Sequence, residues 1–272
     1  MASIQEIKRR IKAVTNTRQI TKAMEMVSAT KMRRSQEVAL LSRPYALEVL
    51  RILGELSRRT EYQPEVMQVR EVKTRAIVVV ASDRGLAGSF NTNVFRSFER
   101  RLENELKATS DMRQVIFITV GRKAEEFIIR KGYKLHASFK NFGDHVEADE
   151  VRPLADLLVS GFLSGIWDQV TVVSTHFRTT LRQDVVVRDV LPISTDNVQD
   201  TLKELVPEHG RFSGTENTVA RSTTGATWDF EYLIEPDPKT VLDALAPDLV
   251  RIMVYDLVLE ANASEHSARM VA

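Results

Sequence analysis

Apolar side chains recur at Ile4, Ile7, Ile11 and Val14 in alternating steps of three and four. The spacing continues through Thr17, Ile20, Met24, Val27, Lys31, Arg34, Val38, Leu41, Tyr45, Val49, Ile52 and Leu56. A seam this long predicts a coiled-coil helix over residues 1–59. Ser3 is placed to cap it, with Glu6 at capping-box spacing. Pro44 removes one helical hydrogen bond, so a kink or restart is expected near Ser42–Tyr45. About 50 helical residues at ~1.5 Å each make a rod roughly 75–80 Å long, which must project from any small domain. Midway along the seam, at Lys31 and Arg34, apolar residues give way to cations.

After a polar link the pattern changes. "RAIVVVAS" (75–82) and "QVIFITV" (114–120) are continuous β-branched runs, as in strands buried on both faces. Amphipathic stretches at 91–108, 122–131 and 151–166 predict helices, and 133–139, 169–177 and 184–193 predict further strands. This alternation implies an α/β unit over 74–193 with a mostly parallel sheet. Residues 194–235 predict a mobile polar excursion ending in a strand at 228–235. A second long helix occupies 236–272, capped by Asp237 with Pro238 in its first turn. Its periodic positions are Leu242, Leu245, Leu249, Ile252, Leu259, Ala263 and Met270, with Pro247 a point of bending or restart. Pairing the two terminal helices antiparallel buries both seams, giving an antiparallel coiled coil plus a Rossmann-like α/β domain.

Charge sharpens this division. Residues 1–60 hold 13 Lys and Arg against 5 Asp and Glu, a surplus of eight on a chain of net charge +1, so the remainder is net −7. A basic arm on an acidic body fits nucleic acid, acidic lipid or an acidic protein surface. The absence of cysteine rules out disulfides and thiolate chemistry. No stretch is long and apolar enough to predict a membrane span, and the start "MASIQEIKRR" lacks an apolar signal core. The expected location is cytoplasmic, with membrane association only through a partner.

Candidate chemistry is sparse. The first strand-to-helix turn, "ASDRGLAGSFN" (81–91), holds Gly85 and Gly88 but not the G-x-G-x-x-G fingerprint of dinucleotide sites. Its glycines are expected to serve positive φ. His136, His145, His176, His209 and His266 are scattered without metal-ligand spacing. We therefore expect no catalytic residue, metal site or cofactor, and a rod that works by contact. Three readings compete for the basic helix: a solvated exterior, a nucleic-acid-binding coiled coil, or a bearing surface in which Met24, Lys31 and Arg34 slide against acidic and apolar partners. Residues 1–44 contain no Trp, Tyr or Phe for base stacking. Methionine's flexible thioether suits a changing neighbour. A nucleotide-binding α/β oxidoreductase is the rival from the enzyme class.

"IKRRIKAVTNTRQITKAMEMVSATKMRRSQ" followed by "RPYA" resembles the amino-terminal helix of the gamma subunit of F-type rotary ATP synthases. "ASDRGLAGSFN" is similar to that family's "SDRGL-G-N" turn, with Ala87 where many members carry Cys. "YLIEPDPKTVLDALAPDLV" and "LEANASEHSARMVA" resemble its carboxy-terminal helix. The resemblance implies a non-catalytic central shaft that transmits torque between a membrane c-ring and the alpha/beta hexamer, coupling proton translocation to ATP synthesis or hydrolysis. It further implies an epsilon partner at the foot, no nucleic acid, and a peripheral position on the cytoplasmic face of the bacterial plasma membrane. Met24 and Arg84 match positions that meet the beta subunit, and Lys31, Arg33 and Arg34 join them on charge. Family members continue past "ARMVA", so the chain is expected to lack the end of the second helix, and its 206–227 segment is longer and more polar than the family pattern.

Overall fold

A computed structural model describes residues 4–60, 62–109, 114–142, 146–194 and 234–272. The proposed cap Ser3, the excursion 195–227 and most of the strand expected at 228–235 lie outside the described residues. The chain opens with helix α1 (Ile4–Arg59) and a single 3-10 turn (Glu65–Met67). Strand β1 (Arg75–Val80), helix α2 (Phe90–Thr109), β2 (Val115–Val120), α3 (Arg122–Arg130) and β3 (Leu135–Phe139) follow. Helix α4 (Ala148–Leu163), β4 (Gln169–Phe177) and β5 (Gln183–Leu191) complete the domain, and α5 (Pro238–Val271) closes the described chain.

The strands form one sheet in the order β3-β2-β1-β4-β5. Strands β1 to β4 run parallel, and β5 returns antiparallel beside β4. Because side chains alternate along a strand, β1 feeds two cores. Ala76, Val78 and Val80 face α4 and α5, whereas Ile77, Val79 and Ala81 join Phe98, Phe117 and Phe127 beneath α2 and α3. Aromatic rings knit the second core, with Phe95 stacked on Phe127 at 4.2 Å and Phe98 edge-on to both Phe117 and Phe127.

Of the alternatives expected at the two prolines, a restart is excluded: helix α1 continues through Pro44, and α5 through Pro247. The start of α5 is as expected: Asp237 accepts a hydrogen bond from the Thr240 N–H at 3.0 Å and Pro238 occupies the first turn. A proline lacking its own N–H costs nothing there, because that donor has no helical acceptor.

The α1 seam also differs from the sequence reading. Along the middle of α1 the buried residues are Ser28, Met32, Ser35 and Ala39, one position beyond the expected Val27, Lys31, Arg34 and Val38. Val27, Leu41 and Tyr45 are instead exposed. The two readings converge only at Val49 and Leu56. Two bonds fix the antiparallel register: the Ser35 hydroxyl donates to Asn262 Oδ1 at 2.9 Å, and the Ser42 hydroxyl to Asp256 Oδ1 at 2.8 Å. Small serine and alanine side chains let the helix axes approach, so the interface is chosen by fit as well as by hydropathy. The cations therefore stand beside the buried stripe and not within it.

Helix α5 is more deeply embedded than a coiled-coil strand. From Met253 to Ser267 it buries residues on nearly every side, Asp256, Glu260, Ser264 and His266 included. It lies across β4 and against α4, with α1 packed on its outer side. A rotation of α5 would have to carry the sheet with it. In contrast, every α1 residue from Ile4 to Ala23 is exposed.

Candidate functional site

The turn after β1 is where an α/β sheet of this kind would hold a phosphate. Asp83 in this turn accepts hydrogen bonds from the backbone N–H of Arg122, at the start of α3, and of Asn141, both at 2.9 Å. The Ser82 amide and hydroxyl are bound to Asn91 Oδ1, and the hydroxyl also lies 2.6 Å from the Arg84 carbonyl. A carboxylate on a helix amino terminus is stabilised by the free N–H groups and the helix dipole. Asp83 thus ties the turn after β1 to the start of the next crossover helix.

The glycines of the turn behave differently from each other. Gly88 has φ +51°, and a Cβ there would lie 3.6 Å from the Ala272 side chain, so the turn rests on the last residue of the chain. Gly85 has no left-handed conformation and would meet nothing within 4 Å. Leu86, with φ +60°, takes the conformation that was expected of a glycine. The demanding glycine is Gly121, at φ +91°, where a Cβ would stand 2.0 Å from the Ala81 carbonyl oxygen. It allows the β2–α3 turn to pack directly on the end of β1.

Of the five residues expected to meet a partner, Lys31 and Arg84 line one cleft of about 410 Å³ between the rod and the turn. Arg122 and Arg269 join them there. Arg269 is ion-paired with Glu265 and reaches the Gly85 carbonyl at 3.4 Å, clasping α5 to the turn. Burial raises the Glu265 carboxyl above its usual range, against the opposing effect of Arg269. Arg33 and Arg34 are exposed on α1, with Arg34 3.7 Å from Glu37, and Met24 is half-buried one turn before Ser28. Arg122, Arg269 and Glu265 escaped sequence reasoning because they come from two elements far apart in the chain, the start of α3 and the end of α5. Their signal, a charged residue just beyond a strand or within "SEHSARM", does not stand out from ordinary surface charge.

A second polar cluster ties α5 to the sheet. His176 Nδ1 on β4 lies 2.8 Å from Glu260 Oε2 on α5, with both side chains buried. Close by, Ser264 faces the Thr175 carbonyl at 3.4 Å, and the Ser267 hydroxyl donates to the Thr180 carbonyl at 2.8 Å. The histidines were read as core or surface residues, and His176 and His266 are core. Among the described residues no group of three or more His, Asp or Glu is arranged to hold a metal ion. No helix of the described residues is long and apolar enough to cross a membrane.

Two long antiparallel helices, one of them buried against an α/β sheet, define a stalk-and-foot protein. Comparison with known proteins agrees. The ATP synthase family profile matches residues 3–272. The chain is 39% identical over 274 residues to the ATP synthase gamma chain of Opitutus terrae, covering all of this chain and 85% of that protein. It is 35% identical over 273 residues to that of Moorella thermoacetica, with the same coverage of each chain. Among solved structures, the central stalk and c-ring of the Tetrahymena thermophila mitochondrial ATP synthase shares the fold with TM-score 0.60 at 22% identity, over 93% of this chain and 96% of that one. The rotor of the Euglena gracilis enzyme does so at 0.59 and 16%, over 97% and 87%. The chain belongs to the ATP synthase gamma chain family. It is a non-catalytic subunit of the ATP synthase complex and its central rotor shaft.

Proposed function

We propose that torque enters this shaft at the α/β foot, on a membrane c-ring with an epsilon subunit beside it, and leaves through α1 to the beta subunits of an alpha/beta hexamer. The observation that carries this reading is that α5 is both buried in the α/β body, against β4 and α4, and paired antiparallel with α1. Foot and rod therefore turn together.

Met24, Lys31, Arg33, Arg34 and Arg84 are the residues we assign to the beta contact. Exposed ion pairs contribute only about 0–1 kcal/mol each, which suits contacts that must release at each step. The expected setting is the cytoplasmic face of a bacterial plasma membrane, with proton translocation coupled through the ring. Domain limits of 1–59, 74–193 and 236–272 follow the same division into rod, foot and rod. The test is reconstitution with alpha and beta subunits carrying the Lys31→Glu, Arg84→Glu double variant. We expect a complex by size-exclusion chromatography but impaired ATP-driven rotation; unchanged rotation and coupling would overturn the assignment of these two residues.

A further inference from the structure

The cleft between turn and rod has chemistry that torque transmission does not require. Four cationic side chains converge on it from four elements: Lys31 from α1, Arg84 from the turn after β1, Arg122 from the start of α3 and Arg269 from α5. Two carboxylates share the lining, and both are already engaged. Asp83 is held by two backbone N–H groups, and Glu265 by Arg269. Arg84 and Arg122 are exposed and form no ion pair among the described residues. The lining thus carries a net surplus of two positive charges, in a space of about 410 Å³ with Phe90 and Phe142 in its walls. That volume is in the range of small-molecule sites. It also lies off the carboxyl ends of the parallel strands β1 and β2, the edge where sheets of this type take ligands.

We propose that this cleft binds a phosphate group, which bridges the foot to the rod. Guanidinium groups approaching from separate directions match a tetrahedral dianion with several oxygens better than a single planar carboxylate. No glycine fingerprint is needed, because side chains supply the donors while Asp83 occupies the α3 amino terminus. Bound phosphate relieves the mutual repulsion of cations belonging to different elements, so it fastens the turn to α1 and α5. The cleft shares Lys31 and Arg84 with the proposed beta contact, and Arg122, which that contact does not use, together with measurement on the isolated chain keeps the two readings distinguishable.

The test is thermal unfolding and calorimetry of the full chain with orthophosphate, ADP or ATP, each against sodium chloride of equal ionic strength. We expect a saturable rise in Tm with phosphate-bearing ligands over chloride. Arg84→Gln and Arg122→Gln should each weaken binding about tenfold, as for loss of one charge-assisted contact, and should not lower Tm in chloride, since each removes one of the mutually repelling charges. Equal effects of the three ligands identify free phosphate as sufficient, whereas a stronger effect of ADP and ATP identifies a nucleotide that also uses the aromatic wall. No saturable effect of any ligand, or an effect retained in the Arg84→Gln/Arg122→Gln double variant, would overturn the proposal.

Discussion

Replacing His176 by alanine leaves the Glu260 carboxylate buried between β4 and α5 without the ring nitrogen that now lies 2.8 Å away. The two side chains are 2% and 7% exposed, so water cannot take the place of the lost partner without opening the interface. Removing one member of such a buried hydrogen-bonded pair leaves the other without its partner, which costs about 1–3 kcal/mol. Against a typical domain stability of about 5–15 kcal/mol, the loss is large. Glu260→Gln keeps a hydrogen-bond acceptor and removes the charge, so it should cost less than half as much. The His176→Leu/Glu260→Leu double variant replaces the pair by apolar groups and should lie near the parent, since substitution of both members is often neutral. Urea unfolding followed by circular dichroism gives each free energy, and the cycle through the single His176→Leu and Glu260→Leu variants isolates the coupling. If His176→Ala costs less than about 1 kcal/mol, or if the double variant is the simple sum of the two single leucine variants, the pair does not hold α5 to the sheet and the rotational lock must lie elsewhere.

The seam can be tested by contrast. Met32→Ala should destabilise the chain by about 2–5 kcal/mol and Val27→Ala by less than about 0.5 kcal/mol in chemical denaturation; the reverse order would restore the seam read from hydropathy. Tyr62 donates to Asp243 at 2.6 Å, a bond that, with some burial and the charges of Asp243 and Glu65, raises its phenol to about 12. Because this folded value lies above the ordinary 10, the bond's contribution is intact below pH 10 and lost as pH rises through 12. Burial also raises the Tyr255 phenol, so ultraviolet titration should show late phenolates of which the one belonging to Tyr62 returns toward the ordinary range in Asp243→Asn; a titration identical in the two proteins would show that the bond is absent.

The order of elements, their types and the capping of α5 were legible in the sequence, because each rests on local physics. Continuous β-branched runs must be buried on both faces, as β1 and β2 are, and Asp237 ahead of Pro238 satisfies a helix start wherever it occurs. The resemblance of the turn and the terminal helices to the gamma family was legible for a different reason: it lies in contiguous motifs. The face of α1 was not legible. Spacings of three and four fit neighbouring stripes almost equally, and a hydropathy reading favours Val27 over Ser28. Only the partner helix, approaching closely enough for Ser35 to bond Asn262 and Ser42 to bond Asp256, selects the stripe of small residues.

The candidate site divides along the same line. Arg84 and Lys31 were singled out from motif and seam, but their shared cleft with Arg122 and Arg269 forms only when turn, helix start and both rods meet. The His176–Glu260 pair joins residues 84 positions apart, and no local pattern marks one for the other. By itself the sequence determined that this protein has two long helices around an α/β body and a basic amino-terminal arm. Tertiary structure alone decided that α5 is part of the body and which cations gather beside it. Periodicity and capping are properties of a segment, whereas burial of a polar side chain depends on what another segment brings to within a few ångströms.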